Sequence, residues 1–378
     1  MRRWPAILFK LAVPVCMITL GPEGCDSSPI ERGGREAALG ARPSALATFP
    51  MQAAAEELAT PKTHPAIGSE PWDFAGVRGQ RISTPGYRLH TTIQQADMLA
   101  LLPVFMEAAL AHYTSALGPL PPPREPLESY LLGTRREWEA KTREILPDQA
   151  STYLSLGRGG FTTRGVAVLY DIDDYGGSDT LAITAHEGWH QYTQRMFRDS
   201  LPVWLEEGIA TYMEGFQARE GEPPVFLPWK NRERFSALRY GVRRDRLIPL
   251  RELVRRTPQT FITESTDDLL LYYAQVWALT HFLVEGEGGR YAMALRSLVQ
   301  DALAGRIDDR LRTTLTLQTA RHRRQAQFTR TGDWAIREFF NSDLAEIEAQ
   351  YDAFIRAITA NPQARELIRS GKSPLPRE

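Results

Sequence analysis

The chain has only two cysteines in 378 residues, Cys16 and Cys25, and both lie at its very start. The body beyond them therefore carries no disulfide framework. Neither charge is in excess, with 45 basic against 46 acidic side chains. That balance excludes the polyelectrolyte character of a nucleic-acid binder, so no nucleic-acid partner is expected. The apolar run near the start, "LAVPVCMITL", is ten residues long, well short of the ~20 that cross a bilayer. No internal repeat is visible. Histidine is scarce, with seven in all, which makes any regular spacing between two of them informative.

What is there begins with a leader. "MRRWPAILFK" is basic and the apolar run follows it directly, the order of an export signal, expected over residues 1–25. In "GPEGCDSS" Gly24 precedes Cys25, as at a bacterial lipoprotein cleavage site. The expected location is thus the bacterial cell envelope or periplasm, or the medium, with any membrane attachment through a lipid on Cys25. Residues 26–79 are rich in Ala, Pro, Gly and Glu without sustained periodicity and read as a disordered tether, with one short helix at "MQAAAEELA". Residues 363–378 read as a frayed tail.

Between them, residues 80–362 read as one α+β domain, its first half (80–197) mixed and its second (198–362) helical. "YRLHTT" and "LESYLLGT" have strand character, "QQADMLALLPVFMEAALAHYTSAL" has helical spacing bent at Pro103, and "RREWEAKTREIL" is a surface helix. "RGVAVLYDI", bounded by the turn-forming "GRGGFTT" and "DDYGGSDT", is a further strand, either an edge able to pair with an extended peptide or an ordinary core strand. Helices then dominate: "PVWLEEGIATYMEGF", "LLLYYAQVWALTHFLVE", "RYAMALRSLVQDALAG" and "SDLAEIEAQYDAFIRAIT".

The chemistry centres on "AHEGWHQY", an H-E-x-x-H pattern formed by His186, Glu187 and His190. On a helix, residues four apart point the same way, so two imidazoles can grip one metal ion while Glu187 reaches its open side. Asp179 or Thr180 would cap this helix, and Gly188 within it implies close backbone packing. A third histidine is ruled out, because Thr193 and Met196 stand where H-E-x-x-H-x-x-G-x-x-H would need Gly and His. A carboxylate from the following helix is the alternative, and periodicity leaves both Glu206 and Glu207 open.

The stretch "HEGWHQY…LPVWLEEGIATYME" resembles the gluzincins, the peptidase MA-like zinc metallopeptidases that include thermolysin and the aminopeptidase N group. It is most similar to a bacterial domain-of-unknown-function family of exported zincins, over Tyr87 to about Gln300. The resemblance implies a zincin-like fold with a small mixed sheet before the zinc helix and a helical half after it. It implies one Zn2+ per chain, held by His186, His190 and the Glu that directly precedes Gly, here Glu207. It further implies Glu187 as general base and Tyr273, in "YYAQVWALTHFL", as the phenol that stabilises the oxyanion, with Tyr272 as its neighbouring alternative. The segment by which the aminopeptidases hold a free amino terminus has no counterpart in "GRGGFTTRGVAVLYD", which favours endopeptidase action on a peptide or protein. Two other readings stand beside this one: an inactive zincin-like binding or scaffold module of the envelope, and a zinc hydrolase of another substrate. His281 is expected either as a satisfied core histidine or as one that supports the metal ligands from behind. His64, His90, His112 and His322 show no ligand spacing.

Overall fold

The strand-forming runs of the first half pair into one mixed sheet whose far end carries the H-E-x-x-H helix. The computed structural model describes residues 68–154, 159–172, 178–219, 221–262, 265–314 and 329–375. The leader, Cys25, the helix expected at "MQAAAEELA", His64 and His322 lie outside the described residues. The sheet strands are β1 (Gly68–Phe74), β2 (Val77–Ser83), β3 (Tyr87–Thr91), β4 (Leu127–Leu132), β5 (Phe161–Thr163) and β6 (Val166–Tyr170). Their order is β1-β2-β3-β4-β6-β5. The central pairs β3–β4 and β4–β6 are parallel and the outer pairs antiparallel. Parallel neighbours need crossovers, supplied by α1 (Ala96–Tyr113) and then by α2 (Arg135–Ile145) with α3 (Ala150–Leu154).

Order begins earlier than the composition implies. The stretch read as tether up to residue 79 contains all of β1 and the start of β2. Ala75 and Gly76 both take positive φ, 51° and 79°, the geometry of a two-residue hairpin turn. "AG" lacks the Asn-Gly or Asp-Gly signature of such turns, and Pro71 masks the alternation that places Trp72 and Phe74 on one face. Those two rings and Tyr130 surround the ammonium of Lys141, which lies 4.2 Å from the Phe74 centroid and 4.6 Å from that of Tyr130. Such desolvated cation–π contacts contribute ~2 kcal/mol. α2 is thus more than a surface helix. It also buries Trp138, whose indole donates to the Val168 carbonyl at 3.1 Å.

"RGVAVLYDI" forms β6, paired on both sides, so it is an interior strand. The edge strand on this side of the sheet is β5, whose residues read as part of a turn in the sequence. A second two-residue turn joins the two, with Arg164 and Gly165 at φ 51° and 74°. α1 is long and apolar enough to cross a membrane, yet it runs through Pro103 with Leu102, Phe105, Met106 and Ala109 buried in the core.

The second half is built on α4 (Ser178–Met196), α5 (Val203–Met213), α6 (Arg232–Arg243), the short α7 (Leu250–Leu253) and α8 (Pro258–Ile262), and α9 (Thr266–Glu285), with α10 (Ala292–Ala304) and α11 (Ile307–Thr314) beyond. It is not wholly helical: β7 (Phe216–Arg219) and β8 (Glu222–Phe226) form a hairpin, and Phe216 and Phe226 pack on Phe105 of α1. Pro223 and Pro224 hide this strand from propensity, and a two-stranded ribbon tolerates them because it has free edges. The tail is packed rather than frayed. Ala364–Arg369 is a helix with Ile368 buried, Leu375 packs on the core, and Asn361 Nδ2 donates to the Pro374 carbonyl at 2.7 Å. A single apolar core runs from Ile82 to Ile368 through both halves.

Candidate metal centre

Three elements bring the site together. Helix α4 is pinned to the sheet by Gln191, whose amide nitrogen donates to the carbonyls of Glu128 and Gly165 at 2.5 and 3.1 Å. Its start is tied by Thr180, which lies inside the first turn rather than capping it. The Thr180 hydroxyl donates to Asp171 Oδ1 and accepts from Ile172 N. Gly188 allows the close approach its position implies, since a Cβ there would stand 2.5 Å from the Tyr113 hydroxyl, which itself donates to the Ala185 carbonyl. Helix α5 follows Pro202. Its Gly208 lets it press on α9, where a Cβ would meet Thr280 Oγ1 at 2.5 Å and the Val276 carbonyl at 2.8 Å.

This packing brings together His186, His190 and Glu207, all buried. The two Nε2 atoms are 3.2 Å apart, and Glu207 Oε2 lies 3.4 Å from one and 3.6 Å from the other. Nitrogen and oxygen ligands ~2.0–2.2 Å from a tetrahedral ion stand about 3.3–3.6 Å from one another. The opposite face of each imidazole is already engaged: His186 Nδ1 on Glu214 Oε1 at 2.9 Å, and His190 Nδ1 on Glu206 Oε1 at 3.1 Å. With both Nδ1–H groups donated to carboxylates, both Nε2 atoms present lone pairs to one point. Glu207 Oε2 joins them there and makes no hydrogen bond of its own. Three such atoms converging on one point suit a cation.

The charges agree. Glu187, Glu206, Glu207 and Glu214 are four buried carboxylates, and one buried guanidinium, Arg234, stands among them. That leaves a deficit of three positive charges, of which a divalent ion would supply two. In the chain alone protons partly stand in. Burial would lower the His186 imidazole, but the neighbouring carboxylates of Glu207 and Glu214 hold it above its ordinary value. Burial would raise Glu207, yet the imidazoles of His190 and His186 keep its carboxyl below the ordinary range. Glu214, despite burial, is held down to about 2 by Arg234 and His186.

Glu187 is anchored through one oxygen only. Thr162 of β5 donates to its Oε2 at 2.8 Å, while Oε1 is buried and makes no hydrogen bond. Burial, only partly offset by His190, His186 and Thr162, raises its pKa above the ordinary 4.5. A carboxylate of raised basicity with one free oxygen is suited to taking up a proton.

Tyr273 lies two turns inside α9, not at its start, and is fully buried rather than at a cleft mouth. Its ring meets His186 edge-on with centroids 6.0 Å apart, and Arg234 lies over its face at 5.2 Å. Burial, reinforced by Glu207, pushes its phenol well above the ordinary value, so it stays a neutral donor. Tyr272 packs on Phe261, and its buried hydroxyl makes no hydrogen bond. His281 belongs to the core, stacked 3.6 Å from Trp229. His90 meets Glu128 at the sheet and His112 stacks on Phe226, both outside the cluster.

Three participants escape the motif: Glu214, Asn231 and Arg234. Asn231 Nδ2 donates to Glu214 Oε2 at 2.7 Å, and Arg234 grips the same carboxylate with Nε and Nη2 at 3.0 and 2.8 Å. A signal for Glu214 existed, since it lies seven residues, two helical turns, beyond Glu207 in "EGIATYME". Glu206 and Glu207, left open by periodicity, both face the histidines: Glu207 towards the Nε2 pair and Glu206 towards Nδ1.

A family model described as a protein of unknown function (DUF1570) matches residues 180–302. The matched stretch contains the H-E-x-x-H residues, α5 and α9. No curated protein and no solved structure matches the chain.

Proposed function

We propose that the chain is a zinc-dependent metallopeptidase with a gluzincin-like catalytic domain, in which His186, His190 and Glu207 hold the metal. The observation that carries this reading is the convergence of His186 Nε2, His190 Nε2 and Glu207 Oε2 at tetrahedral spacing, with Glu187 buried on the same helix as the histidines. Zinc in such a site supplies a nucleophile at neutral pH and Lewis-acid polarisation of a carbonyl. The protein's share is positional. Glu206 and Glu214 fix the imidazole tautomers, and Thr162 holds Glu187 so that Oε1 accepts the proton of the attacking water and returns it to the leaving amine. Tyr273, kept protonated, donates to the carbonyl oxygen as it gains charge. The substrate is a peptide or protein, cleaved internally, and the enzyme acts after export in the cell envelope or medium.

The test is to purify the mature chain without chelator, measure its metal, and assay a peptide library with and without chelator. About one zinc per chain and chelator-sensitive cleavage are expected. Absence of bound zinc on its own would overturn the reading. A second reading, a zincin-shaped module that holds the metal and cleaves nothing, is favoured by the full burial of His186, Glu187 and His190, each 0% exposed. Stoichiometric zinc without cleavage of any peptide would select it.

A further inference from the structure

Arg234 touches none of the three ligand atoms, yet it lies between the two halves of the site. It is 3% exposed and comes from α6, reached only after the β7–β8 hairpin. Its Nε and Nη2 hold the two oxygens of Glu214 in a bidentate grip, and Glu214 Oε1 is the atom that receives His186 Nδ1. The flat face of the same guanidinium lies over the Tyr273 ring at 5.2 Å, and that ring in turn meets His186 edge-on. Its charge is held firmly, because the neighbouring carboxylates Glu214 and Glu233 favour the protonated form against burial.

His190 is held differently. Its carboxylate, Glu206, receives a hydroxyl from Thr193 at 2.6 Å. The two histidines are thus oriented by two separate devices, one neutral and local to α4 and α5, the other cationic and shared with the tyrosine. A fork that binds both oxygens of a carboxylate fixes its plane as well as its position, and a planar cation also stacks. Lysine retains the charge and does neither.

Resting on the zinc-site reading above, we propose that Arg234 is a positioning residue that couples the metal to the phenol. Through Glu214 it sets the angle of His186, and through its face it sets the ring of Tyr273. Removing it weakens metal binding and, independently, lowers turnover in enzyme saturated with metal. Loosening the Glu206 side through Thr193→Val weakens metal binding through His190 without touching Tyr273.

The experiment compares wild type, Arg234→Lys, Arg234→Met, the double variant Glu214→Gln/Arg234→Met and Thr193→Val. Zinc dissociation constants are measured by competition with a chromophoric chelator, absorption spectra with Co2+ in place of zinc, and kcat at saturating zinc. The double variant removes both partners of the buried ion pair and so guards against a misfolded single variant, with circular dichroism confirming the fold. Arg234→Lys and the double variant should bind zinc about 10- to 100-fold more weakly, shift the Co2+ spectrum, and keep a reduced kcat at saturation. Thr193→Val should lose less zinc affinity than Arg234→Lys and shift the Co2+ spectrum less, since it removes one hydroxyl from Glu206 and leaves Arg234, Glu214 and Tyr273 in place. If Arg234→Lys matches wild type in zinc affinity and Co2+ spectrum, the inference is wrong and the metal site stands. A full kcat at saturating zinc in both Arg234 variants removes the link to Tyr273. If wild type binds neither metal, the zinc-site reading fails, and this inference with it.

Discussion

At the scale of single residues, the two glutamates of "LEEG" separate metal ligation from ligand orientation. Glu207→Ala should abolish zinc binding by removing Oε2 from the triangle. Glu206→Ala should retain zinc with an affinity lower by about 10-fold, since it loses only the partner of His190 Nδ1. Metal analysis of both variants after equilibration at fixed free zinc checks this, and reversed behaviour would exchange their roles. Glu187→Gln should keep full zinc and lose peptidase activity, because the amide cannot take up the proton. Tyr273→Phe should lower kcat on the order of 100-fold with little change in KM. Tyr272→Phe should leave kcat near the wild-type value without loss of stability, since its hydroxyl is buried without a partner. An equal loss of turnover in both would place the donor elsewhere.

At the scale of elements, the H-E-x-x-H helix and the helix after it were legible because the motif and the "EGIA" step are short and local. Glu207 was distinguishable from Glu206 only through family resemblance, as one helical face accommodates both. Glu214 was marked only by its spacing of two helical turns from Glu207, because it stands 28 residues from the imidazole it orients. Arg234 was not legible, because it arrives by way of a hairpin hidden by Pro223 and Pro224. The β1–β2 hairpin and the C-terminal helix were missed for a related reason, since each is stabilised by tertiary partners rather than by its own propensity. The packing of α5 on α9 is testable through Gly208→Ala. The added methyl meets a backbone carbonyl that cannot step aside, so a destabilisation of about 1–3 kcal/mol is expected, measurable by urea unfolding together with weakened zinc binding. Glu214 makes an acid-sensitive contribution. Its carboxyl falls from an ordinary 4.5 unfolded to about 2 folded, so its stabilisation is complete above pH 4.5 and is lost as pH falls towards 2. The shift corresponds to on the order of 3 kcal/mol. Unfolding of the metal-free chain at pH 3 and pH 6 should show about 2 kcal/mol of this difference in the wild type and much less of it in Glu214→Gln.

At the scale of the whole molecule, one core joins the sheet to the helical half, and the metal would bind side chains from α4 and α5 within it. Binding that exists only in the folded state adds RT ln(1 + [L]/Kd), about 4 kcal/mol at a thousandfold excess over Kd. For a chain of this size, with about 2.1 cal/mol/K of unfolding entropy per residue, that corresponds to a rise of roughly 5–7 °C in Tm. Differential scanning calorimetry with and without zinc should show the rise, and the His186→Ala variant should show none. The run of eight residues from Glu207 to Glu214, with Glu206 just before it, has a consequence for how the site can change by mutation. All three carboxylates ride on one short rod, so any shift of that rod disturbs the ligand and both imidazole partners at once. Gradual loss through changes around α5 is closed off, and such mutations should act as switches. Second-site revertants of Gly208→Ala should accordingly be partial and arise on the opposing surface of α9, at Thr280, where a smaller side chain removes the nearer of the two contacts and leaves the Val276 carbonyl, and not among the histidines α5 serves.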